Sequence, residues 1–94
     1  MCKSEIFQQL LRLTSEVTET APDRITGRCA DMESTDARFI LVTVLYERGF
    51  YPSQIAVWLN RTPRCVRALL SRGLTSPMVG IMLEKVRKQS GNDC

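Results

Sequence analysis

The chain has 94 residues, 44% of them hydrophobic, with 13 basic side chains, 10 acidic ones and no histidine. That length is one domain, enough for a core of a few helices and too short for a catalytic cleft framed by several layers. No apolar run approaches the roughly 18 residues of a membrane span, and the opening MCKSEIFQQLL lacks the pattern of a secretory signal, so a cytoplasmic protein without a membrane partner is expected.

The charge is segregated. Residues 1–36 carry four basic and seven acidic side chains, net −3, and residues 37–94 carry nine and three, net +6. Positive potential is therefore concentrated in the second part of the chain. The cysteines Cys2, Cys29, Cys65 and Cys94 lack the close pairing of a zinc site, and with nothing marking export, reduced thiols are the default. Neither a metal nor a cofactor is expected.

In chain order, a first helix is expected over residues 5–19. Ser4 offers a cap, Glu5 suits the first turn, and Ile6, Leu10, Leu13 and Val17 form a helical stripe. Pro22-Asp23 is a helix-start signal, Gly27 ends that short turn, and Arg28 to Ser34 reads as a polar connection. The run Phe39 to Tyr46 has the β-branched content of a buried strand. A helix is favoured by Ser34 or Thr35 as cap, Asp36 in the first turn, Gly49 at the far end and a span of ~14 residues. Its buried face is then Ala37, Ile40, Leu41, Val44 and Leu45.

The stretch Tyr51 to Arg72 reads as two short helices joined by a tight turn. Ile55, Ala56 and Leu59 share a face of the first. Asn60 tolerates the left-handed conformation of a sharp helix exit, Thr62 can cap the next helix, and Pro63 suits its first position. In that helix, residues 63–71, Val66, Leu69 and Leu70 cluster on one side at ~100° per residue, with Cys65 at the edge of this buried face. Arg64, Arg67, Ala68 and Ser71 fall opposite. Residues 61–72 hold four arginines and no acid. Arginine pairs bidentately with guanine or phosphate, so a helix-turn-helix docking on duplex DNA through the major groove is expected. The alternative is a solvated amphipathic helix whose arginines only keep it soluble.

Gly73 ends that helix. A last helix runs from Ser76-Pro77 to about Lys88, with Val79, Met82, Leu83 and Val86 apolar, and residues 89–94 form a frayed tail. The expected architecture is all-α, a single domain over 1–94 with about five helices and a core over about 5–88.

This order resembles the C-terminal helix-turn-helix domain of the bacterial chromosomal replication initiator (DnaA type), of which small stand-alone relatives occur. The matching residues are Ala21-Pro22-Asp23-Arg24-Ile25, Asp36-Ala37-Arg38, Gln54-Ile55-Ala56 and Asn60-Arg61-Thr62 through Val66, within roughly residues 6–72. The resemblance implies a monomeric all-helical reader of short duplex boxes. It implies that Arg38 enters the minor groove, that Arg61 keeps the family's arginine, and that Thr62, Pro63, Arg64 and Cys65 read the major groove. Thr62 and Pro63 stand where the family has Asp and His, so its usual box does not carry over. The connection before Ala37 is acidic rather than basic, and the chain has no glycine-rich phosphate loop for ATP-driven assembly.

Two functions follow as expectations. One is a duplex DNA-binding protein in transcription or replication control, using Arg38, Arg61, Thr62, Pro63, Arg64, Cys65, Arg67 and Ser71. The other is a protein-interaction module on the same scaffold, through Trp58 and Tyr51 or the last helix. An enzyme is not expected. Histidine, tellingly spaced carboxylates and a nucleophile elbow are all missing from the sequence.

Overall fold

Proline and capping chemistry set where the helices begin. A computed structural model describes residues 3–27, 31–73 and 76–90. Within them the chain forms six helices and no strand: α1 (Lys3–Thr18), α2 (Pro22–Thr26), α3 (Met32–Glu47), α4 (Pro52–Leu59), α5 (Pro63–Arg72) and α6 (Pro77–Ser90). Four of these open on proline, where the missing N–H costs nothing and the fixed φ suits a helix. The expected short turn at Pro22 is a helix in its own right, and α6 stays regular through Ser90 rather than fraying from 89. Residues 91–94, Cys2 and Cys29 lie outside the described residues.

The start of α3 differs from the sequence expectation. Its cap is Asp31, whose carboxylate accepts the Ser34 N–H at 3.2 Å, and neither Ser34 nor Thr35 takes that place. Asp31 satisfies an amide of the first turn, so the helix begins before the expected connection ends. Ser34 and then Arg24, which pairs with it at 2.9 Å, hold the Asp31 carboxyl below its ordinary value. At the other end Gly49 takes φ 96°, as a glycine just past a helix does.

The centre of the molecule is α3, which packs against all five other helices. That position explains its sequence. A helix packed on several sides is apolar on several sides through its middle. Ala37, Ile40, Leu41, Val44 and Leu45 are buried as expected, and Phe39 and Val42 are buried with them. The β-branched run is therefore a central helix and not a strand. On α1 the buried face is Phe7, Leu10, Leu11 and Thr14. Ile6, Leu13 and Val17 lie half-buried at its margin, so the stripe is turned slightly from the expected one. On α6, Val79, Leu83 and Val86 are buried and Met82 packs against them.

Candidate nucleic-acid interface

The joint between α4 and α5 forms from the chemistry of three residues. Asn60 takes the left-handed conformation (φ 55°, ψ 44°), which reverses the chain after Leu59. The Arg61 N–H donates back to the Ala56 carbonyl at 2.9 Å and closes the turn. Thr62 Oγ1 then accepts the Cys65 N–H at 3.2 Å, capping α5, and Pro63 fills its first position. Ile55, Ala56 and Leu59 of α4 meet Val66 and Leu69 of α5 in the common core, and the two helices pack together. Gly73 ends α5 with φ 74°, a conformation L side chains rarely adopt.

The outer face of α5 carries Arg64, Arg67, Ala68 and Ser71, all exposed, with Thr62 and Pro63 exposed at its start. Among the described residues neither Arg64 nor Arg67 has a hydrogen-bond or ion-pair partner. Cys65 is a free thiol and half-buried, so it presents only an edge to this face.

Four other arginines of the second half, Arg38, Arg61, Arg72 and Arg87, are turned to structural use. Arg38 was expected to point outward into a minor groove. Its side chain is instead 5% exposed. Its Nε donates to the Ile25 carbonyl at 2.7 Å, and a terminal nitrogen donates to the carbonyls of Arg24 at 3.1 Å and Gly27 at 3.3 Å. The Arg24 and Ile25 carbonyls are at the end of α2, where they lack intrahelical partners and sit at the negative end of the helix dipole, and Gly27 follows directly. A cation on α3 facing them is pulled inward. Arg61 makes a second such contact, donating to the same Gly27 carbonyl, so it is not an outward-facing reader. Gly27 is constrained here. A Cβ on it would lie 2.5 Å from the Asp23 carbonyl oxygen.

Arg72, at the far end of α5, pairs with Asp36 at 2.8 Å, both largely shielded, and so ties α5 to the start of α3. Arg87 bridges Glu47 at 2.5 Å and Glu84 at 2.6 Å. Of the residues expected to touch DNA, the structure thus brings Thr62, Pro63, Arg64, Arg67 and Ser71 together on one exposed surface. It withdraws Arg38 and Arg61 behind it.

The surface expected for a protein partner is also altered. Trp58 is half-buried, its ring centroid 5.2 Å from those of Phe7 and Phe50. Tyr51 and Val57 stay open, at 69% and 76% exposure, and on α6 so do Met78 and Ile81. Among the described residues no group of Cys, Asp and Glu could hold a metal ion, and no helix is long and apolar enough to cross a membrane.

No family model matches the chain, and no curated protein and no solved structure matches it.

Proposed function

We propose that this chain is a double-stranded DNA-binding protein that inserts α5 into the major groove and acts in transcription or replication control, without catalysis. The observation that carries the reading is the outer face of α5. Arg64 and Arg67 stand exposed beside the small residues Ala68 and Ser71, with no acid on the helix. Small side chains let a helix sink into a groove, and long cations then reach bases and phosphates. The turn before it is closed by the Arg61 N–H to Ala56 carbonyl bond and capped by Thr62, which pre-organises the face.

The alternative, a protein-interaction module, draws on Met78 and Ile81, which leave an apolar strip exposed on α6. Titration of random-sequence duplex DNA at two salt concentrations separates the two. A complex that weakens steeply with salt supports the DNA reading, because cation–phosphate contacts release counterions. No complex at low salt removes it and leaves the α6 surface as the working site.

A further inference from the structure

The outer face of α5 is chemically one-sided. Its long side chains, Arg64 and Arg67, are guanidinium groups, which donate hydrogen bonds and accept none. The face bears no amide, the group that pairs bidentately with adenine, and no carboxylate, which would accept from the cytosine amino group. Asn60, the nearest amide along the chain, lies in the turn as the cap of α4. The Thr62 and Ser71 hydroxyls serve any base and discriminate little. Arg61 and Arg72 are held by Gly27 and Asp36.

A donor-only face fits an acceptor-only edge. In the major groove the purine edge that offers two acceptors and no donor is guanine, through N7 and O6. We infer that α5 selects duplexes with guanines on neighbouring base pairs, Arg64 and Arg67 each donating two hydrogen bonds to one guanine. This rests on the DNA-binding reading and specifies its target. The spacing agrees. Residues three apart on a helix are separated by roughly 4.5 Å along the axis, and base pairs rise about 3.4 Å, so two flexible arms reach adjacent pairs. Ala68 lies one residue beyond Arg67 and exposes only a methyl group, which suits a flanking thymine methyl.

The test uses the whole chain and a random duplex library. The library is enriched on the protein, then resynthesised with 7-deazaguanine, which has C–H in place of N7, or with inosine, which keeps N7 and O6 and lacks only the minor-groove amine. The inference expects enriched sequences with guanines on adjacent pairs. It also expects at least about a tenfold loss with 7-deazaguanine, in line with the worth of a bidentate pair, and undiminished binding with inosine. Arg64→Ala and Arg67→Ala remove the donors from an exposed face, so each should bring the guanine to 7-deazaguanine affinity ratio toward one.

Enriched sequences without guanine, or equal binding of the guanine and 7-deazaguanine libraries, overturn the inference while the DNA reading stands. An unchanged ratio in both alanine variants overturns it too. No complex with any library at low salt overturns both.

Discussion

Arg38 directs its guanidinium inward to the last carbonyls of α2, whereas Arg64 projects outward from α5 with no protein partner among the described residues. The difference comes from what each side chain meets. Arg38 faces unsatisfied carbonyls at a negative helix end, and burial there is repaid by charge-assisted hydrogen bonds. Removing it leaves the Ile25 carbonyl without this donor. Arg38→Ala should cost ~1.5–3 kcal/mol of stability, the typical value for a bond to a charged group, seen as a lower melting temperature. DNA affinity of the folded variant should fall no more on A·T-rich than on G·C-rich flanks. A loss confined to A·T-rich flanks would restore the minor-groove role implied by the initiator resemblance. The inward turn of Arg38 differs from the orientation its sequence position suggests for a definite reason. A helical wheel with Ala37, Ile40, Leu41 and Val44 on one side puts residue 38 outside, but Leu45, seven residues on and nearly in line with it, is buried too, so residue 38 lies at the edge of the covered face, where α2 packs. The partner of Arg61 lies 34 residues away at Gly27, and no local pattern marks such a contact.

Among the elements, α4 and α5 were the most legible. Their signals are local: Asn60 for the reversal, Thr62 for the cap, Pro63 for the start, Gly73 for the stop. The exposed set Arg64, Arg67, Ala68 and Ser71 follows from angle alone, because α5 packs on one side only. The start of α3 was less legible, because Asp31, Ser34 and Thr35 are all competent caps and only the packing of Ser34 into the core decides for Asp31. Two predictions belong to this scale. Thr62→Ala should destabilise by ~0.5–2 kcal/mol through the lost cap, and Thr62→Ser should largely retain stability, both measured by denaturant unfolding. Leu69→Ala, at a buried position of the joint, should cost ~2–5 kcal/mol by leaving a cavity, and Ile55→Asp should cost more by burying a charge without a partner. Melts matching the parent for Leu69→Ala and Ile55→Asp would contradict the packing face assigned to the two helices.

For the whole molecule, the fold divides the cations of the second part of the chain between structural and exposed positions. Of the cations in the second part of the chain, Arg38 and Arg61 serve the end of α2, Arg72 holds Asp36, and Arg87 holds Glu47 and Glu84. Arg64 and Arg67 stand on the exposed face of a helix that α3 and α4 hold in place, while Arg48 after α3 and Lys85 and Lys88 on α6 are exposed elsewhere. The interior fixes α5 and its outer face carries the two arginines, so substitutions should divide cleanly between stability and binding. The most direct measurement compares the parent with the double variant Arg64→Ala/Arg67→Ala on random-sequence duplex DNA at low and moderate salt, with a thermal melt of each protein alongside. The parent should form a salt-sensitive complex. The double variant should melt like the parent and bind at least about tenfold more weakly, since each arginine contact is worth ~1–3 kcal/mol. A parent that forms no complex at low salt, or a double variant that binds as tightly as the parent, would contradict the account.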